Sequence, residues 1–282
     1  MKINAVFVFI SVVLFLFGAT PLFGQRKPSI DIRTVTTEQL IKDLSSDDWG
    51  NKVAPAESEL ESRQGSVIPD LLKLLESDEK VKLKNTFDLI YPGADKFYGH
   101  GWVLDYDVDQ VSIRAGWLLE ELTFQDFGFH EGVIDHDAIL RTVIQGKSDS
   151  YITDLQSRLK GKDEKTKARI LATQRAKDWF SKNGGSWTRF DAIVQGLAGT
   201  DVALQARIFQ WLRNGHTKCD GLTIASFEKS ILPLVKRLSS SPNENIREEV
   251  QLLLESHSKE KWWYRYKLER DFPNDYISME LK

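Results

Sequence analysis

The sequence predicts an all-α chain of stacked helix pairs. Three observations carry this. A leucine, an acidic turn and a basic residue six positions after the acid recur along the chain, as in Leu75, Asp78 and Lys84, in Leu159, Asp163 and Arg169, and in Leu197, Asp201 and Arg207. Apolar residues fall at helical spacing on either side of most of these turns. The pattern breaks once, between Tyr91 and Asp137, in a stretch rich in glycine, aromatics and acids. A unit that repeats in this way cannot bury its own apolar face and must stack on its neighbours.

The N-terminus reads as an export signal. Lys2 supplies a positive start, the run Ala5 to Phe17 is apolar except for Ser11, and small residues follow up to Gly24. The run is short for a membrane span, and cleavage near Gly24 is expected. No later segment is long and apolar enough to cross a bilayer. The mature chain then carries 37 basic and 41 acidic residues, a net charge of −4. This disfavours a nucleic-acid partner, which needs a basic field. Cys219 is the only cysteine, so no internal disulfide forms even in an oxidising compartment. The protein is expected to be periplasmic or extracellular.

Residues 25–36 form a linker without apolar periodicity. Thr37 is then expected to cap a helix carrying Leu40, Ile41 and Leu44, ended by Asp47-Asp48. A second helix is predicted from Ala54 to Arg63, closed by Gly65. The next pair places Pro69 in its first turn, where proline is tolerated, and Leu71, Leu72, Leu74 and Leu75 on its apolar face; its partner helix is predicted from Val81 to Ile90. Tyr91-Pro92-Gly93 stops the pattern, a helix resumes from Val111 to about Phe124, and a second irregular stretch runs to about Asp137. Regular pairs return from 151 to 258, on Ile152, Leu155 and Leu159 with 165–181, on Phe190, Ile193 and Leu197 with 202–212, and on Phe227, Ile231 and Leu238 with 244–255. The tail from 259 to 282 holds Trp262, Trp263, Tyr264 and Tyr266 and is expected to cap the last pair.

Leucine anchors at Leu44, Leu75, Leu104, Leu159, Leu197 and Leu238 are separated by 31, 29, 55, 38 and 41 residues. The C-terminal spacings, with Asp163 six before Arg169 and Asp201 six before Arg207, resemble the HEAT and armadillo-type helical repeats. Asp78 with Lys84 is a looser match. Arg247 and Arg114 keep the basic position without the acid, because Ser241 and Val108 stand in its place. The resemblance covers about two thirds of the mature chain. It implies an irregular α-solenoid interrupted at 91–137, in which an acid–arginine ladder of Asp78, Lys84, Asp163, Arg169, Asp201, Arg207 and Arg247 ties neighbouring turns together. It also implies partner binding on a concave face, and it carries no catalytic residues.

The interrupting section holds the candidate binding residues Tyr91, Asp95, Tyr98, His100 and Trp102 in its loop, with Arg114, Trp117 and Glu121 on one face of its helix. Asp105, Asp107 and Asp109 alternate with apolar residues and offer oxygens for Ca²⁺. Gln110 replaces the sharp-turn glycine and Gly116 the bidentate glutamate of a calcium loop, so the turn of the repeat is the favoured reading and no cofactor is expected. His130-Glu131 lacks a second histidine four residues after the first, and His100 and His136 sit in no metal-ligand spacing. Asp126-Phe127-Gly128 spells a kinase tripeptide, but no phosphate loop or catalytic loop accompanies it. The expected function is a non-enzymatic module that binds a protein or an envelope polymer. The competing expectation is an exported hydrolase whose carboxylate–histidine or metal site joins His100, Asp105 or Asp107 with His130 or Glu131.

Overall fold

A computed structural model describes residues 31–86, 89–91, 102–103, 106–129, 136–214 and 219–259. The chain is predominantly helical. No described helix is long and apolar enough to cross a membrane. Contacts divide the chain into two units, Met1–Thr34 and Val35–Lys282. In the first, a 3-10 turn at Ile32–Thr34 is closed by Arg33 on the carboxylate of Asp31, 2.8 Å away. The export signal and the aromatic tail from 260 onward lie outside the described residues.

In the second unit the early helices start in two ways, the first on a capping side chain and the next two with a proline in the first turn, where a missing amide costs nothing. Helix α1 (Thr37–Leu44) is capped by Thr36 and not by the predicted Thr37, because the Thr36 hydroxyl is the one that accepts from the Gln39 amide, at 3.2 Å. Helix α2 (Ala54–Ser62) follows a single π turn at Trp49–Val53 and carries Pro55 in its first turn. It ends at Gln64, which takes the left-handed φ of +55° one residue before the predicted closing glycine. Gly65 instead lies against the Trp187 ring, where a Cβ would come within 3.2 Å. Helix α3 (Ile68–Leu74) has Pro69 in its first turn and buries Ile68, Leu71 and Leu72.

The predicted helix from Val81 to Ile90 is not formed. The segment runs extended: the Val81 amide donates to Asp109 O at 2.7 Å, the Lys84 amide to Asp47 O at 2.6 Å, and the Trp49 amide to Lys84 O at 3.1 Å. Two-residue strands β1 (Leu89–Ile90) and β2 (Trp102–Val103) pair in parallel, with Leu89 opposite Trp102. The physical reason is visible in Lys80-Val81-Lys82-Leu83-Lys84. Charged and apolar residues alternate with period two, so an extended chain sends Leu83 inward, 5% exposed, and leaves all three lysines outside.

Helix α4 (Val111–Thr123) is the hub of the N-terminal half and packs against α1, α2 and α3. It buries residues around its whole circumference, including Val111, Arg114, Leu118, Leu119 and Leu122, as a helix enclosed by others must. Phe124 then turns left-handed at φ +60°, and Gly128 at φ +100° lets the chain fold back. The predicted interruption therefore encloses the most deeply buried helix of the chain.

Beyond it come α5 (His136–Ile144), α6 (Asp149–Leu159) and α7 (Glu164–Asn183), whose inner faces meet on Val143, Leu155 and Leu171. Helices α8 (Arg189–Ala198) and α9 (Val202–Asn214) follow. One helical run then passes through α10 (Ile224–Ser226), a π turn at Phe227–Ile231 and α11 (Leu232–Leu238). Helix α12 (Glu244–Lys259) packs on α9 and α11. This second core centres on Ile193, Leu197, Phe209, Ile231, Val235 and Ile246. Two non-sequential contacts tie the halves together, α7 on α3 and α8 on α4.

Candidate functional site

The extended segment from 79 to 86 and the turn from 106 to 110 lie side by side across the end of α4. Gln110 and Lys80 form an antiparallel bridge, and the Val111 amide donates to Glu79 O at 3.1 Å. Alternation puts the three lysines on one edge, and each meets an aspartate. Lys80 reaches Asp107 at 3.3 Å, Lys82 reaches Asp109 at 3.3 Å, and Lys84 pairs with Asp47. The last pair holds the Asp47 carboxyl below its ordinary range and the Lys84 ammonium above its own, through their hydrogen bond first and their charges second.

Asp109 is 2% exposed. Its Oδ1 accepts from the Leu83 amide at 3.0 Å and from the Tyr91 hydroxyl at 3.0 Å. Burial, and then the bond to Asp109, push the Tyr91 phenol up to about 12, so it stays a neutral donor. Asp107 Oδ1 accepts from the Asp109 amide at 3.1 Å. Of the acids considered for Ca²⁺, Asp107 and Asp109 are thus engaged by lysines, amides and a phenol. Among the described residues no three histidine, cysteine or acidic side chains gather as a metal would need. Asp105 lies outside them, as do Asp95, Tyr98, His100, His130 and Glu131. Trp102 is placed only by its strand pairing with Leu89.

Arg114 is fully buried. Its guanidinium donates to four main-chain carbonyls: Leu44 O at 2.9 Å, Ser46 O at 2.7 Å, Val81 O at 2.8 Å, and Val108 O through Nε. One side chain therefore ties the end of α1, the extended segment and the 106–110 turn to α4. Four of the five guanidinium donors are committed in this way. Three and seven residues on, Trp117 stacks on Tyr106, with ring centroids 4.8 Å apart and planes 23° apart, and Glu121 turns its charge toward α2.

There its charge acts on Glu57, which stands one turn from Glu61 on α2; the sequence pattern singled out neither carboxylate. Glu61 pairs with Arg189 at 3.0 Å. Arg189 is itself fully buried, donates to Leu122 O at 3.3 Å, and stands 5.3 Å from the Trp211 ring centroid and 5.9 Å from that of Phe124. Glu57 keeps part of its surface exposed, but its Oε1 is shut away from solvent with no hydrogen-bond partner among the described residues. Burial pushes its carboxyl up to about 8; Arg114 opposes this, while Glu61 and Glu121 add to it. The i,i+4 spacing of Glu57 and Glu61 was available in the sequence. Their approach to α4 and α8 was not.

The ladder residues are spread over the same scaffold. Asp163 and Asp201 cap α7 and the start of α9, each accepting at 3.0 Å from the amide three residues on. Arg169 pairs with Asp78 on the distant α3 turn instead of with Asp163, and Arg247 donates to Ser241 O at 2.8 Å and Pro242 O at 3.1 Å. Nε of Arg207 is buried without a hydrogen-bond partner among the described residues. Arg237, outside the predicted set, reaches Leu197 O at 2.9 Å and Ala198 O at 3.2 Å at the end of α8. Helix C-termini present unpaired carbonyls and partial negative charge, and arginines from neighbouring helices answer both. The chain matches no protein-family model, and comparison with curated proteins and with solved structures finds no similar protein.

Proposed function

We propose that the chain is an exported, non-enzymatic interaction module, an α-solenoid of HEAT-like helix pairs whose 91–110 section meets a protein or envelope polymer. The observation that supports this reading most is the use to which the chemistry-bearing side chains are put. Arg114, Asp109, Tyr91 and Asp107 each hold one part of the scaffold to another. Lys84 with Asp47 ties the extended segment to the turn after α1, and Arg169 with Asp78 ties α7 to the turn after α3, ties between distant parts of the chain of the kind a solenoid ladder makes. Such ties make a rigid frame, and loops carried on a rigid frame are where recognition resides.

The test places a photo-crosslinking amino acid at Tyr98 in the full-length chain, expressed in its native compartment. The expected result is a discrete protein or polysaccharide adduct, on a chain whose intact mass begins after Gly24. A retained Met1 removes the cleavage reading. Turnover of ester, peptide, glycoside or phosphate substrates that disappears in His100→Ala replaces the binding module with a hydrolase.

A further inference from the structure

The Glu57 carboxyl is a buried polar group whose Oε1 has no hydrogen-bond donor among the described residues. It sits on α2, which packs against α4. From α4 it meets the positive charge of Arg114 and the negative charge of Glu121, and from its own helix that of Glu61. These three are the charges that act on it most. The nearby guanidinium cannot serve it well, because four of its donors are held by the carbonyls of Leu44, Ser46, Val81 and Val108. The second guanidinium in the neighbourhood, Arg189 of α8, is already paired with Glu61.

We propose that Glu57 makes the α2–α4 contact a proton-dependent joint, closed when its carboxyl is neutral and loosened when it ionises between Glu61 and Glu121. A neutral carboxyl fits a half-buried helix contact at small cost. An ionised one adds a third negative charge where four of the five donors of the nearby guanidinium are already held. Helix α4 carries Arg114, and Arg114 holds the 106–110 turn and the extended segment beside it. Loosening α4 from α2 therefore reaches the edge of the section taken above as the binding surface. The joint does not depend on that reading, and its test requires no ligand.

In the full chain labelled with carboxyl-¹³C glutamate, the signal missing from Glu57→Gln identifies Glu57. Its titration midpoint is expected near 8. Between pH 6 and 9, amide exchange in α2 and α4, corrected for its intrinsic pH dependence, is expected to rise at least about tenfold in the wild type. In Glu57→Gln it is expected to stay flat. Should that variant not fold, the loss of the Glu57 signal in Glu57→Asp makes the assignment and the wild-type exchange decides. A midpoint in the ordinary carboxylate range overturns the proposal. So does a raised midpoint with unchanged exchange in α2 and α4.

Discussion

Arg114 and Gly116 show how much of this fold rests on single side chains. Removing the Arg114 guanidinium leaves the carbonyls of Leu44, Ser46, Val81 and Val108 without their donor. A buried acceptor stripped of its partner carries its full desolvation penalty. Arg114→Ala is therefore expected to cost about 3 kcal/mol or more in urea unfolding. Arg114→Lys restores little of this, since one ammonium cannot span four carbonyls in a planar fork. Two residues on, the Phe129 ring lies where a Gly116 Cβ would stand, 2.2 Å from the ring carbon. The ring is held there from behind. Glu120 Oε1 accepts from the amides of Phe127, Gly128 and Phe129 at 2.6, 2.8 and 3.1 Å. Gly116→Ala must displace a ring that its own loop fixes, and a loss of about 1–3 kcal/mol in the same measurement is expected. The glycine was readable in the sequence as a poor calcium ligand. That it makes room for Phe129 was not, because the two meet only when the chain folds back after α4.

Among the elements, the extended segment from 79 to 86 is the informative departure. The predicted helix there rested on apolar content and on the expectation that a partner must follow α3. The alternation of Lys80, Lys82 and Lys84 with Val81 and Leu83 was present in the sequence and argued for a strand. Its pairing with residues 47–49 and 107–110 needed the tertiary structure. If the segment runs as described, its buried and exposed positions respond differently. Leu83→Ala is expected to cost about 2–4 kcal/mol, as a buried leucine does. Lys84→Ala is expected to leave the melting temperature nearly unchanged, because the pair with Asp47 stands in solvent. Equal effects at the two positions would return the segment to a helix with a different face buried. The C-terminal helices, by contrast, followed from their apolar spacing, and the structure adds their caps. Asp163, Thr188, Asp201 and Asn243 each accept from an amide three residues on, a bond set by local sequence alone.

For the whole molecule, stability against pH should have two flanks of opposite sign. Asp47, Asp48 and Asp163 are held below the ordinary carboxylate range, chiefly by Lys84, by Asn85 and by the Thr166 amide respectively. What they contribute is present above the unfolded-state value and is lost as pH falls through their folded values. Glu57 runs the other way. Its carboxyl is raised from 4.5 to about 8, so its contribution is complete below 4.5 and is lost as pH climbs to about 8. The wild type is expected to melt lower at pH 8.5 than at pH 5.5 by about 5 °C or more. Glu57→Gln is expected to remove most of that difference; identical slopes in scanning calorimetry would place the pH dependence elsewhere.

The sequence by itself determined that the chain is predominantly helical and where most helices begin. Each of these depends on neighbours within a few positions: apolar spacing, a capping side chain, a proline or a glycine. Only the tertiary structure decided that α4 within the interruption is enclosed by other helices, that Arg114 bonds carbonyls up to 70 residues away, and that Glu57 and Glu61 meet Glu121 and Arg189. The physical reason is the same in each case. Burial and charge depend on what arrives from distant parts of the chain, and a local pattern fixes which face of a helix is apolar without fixing which helix will cover it.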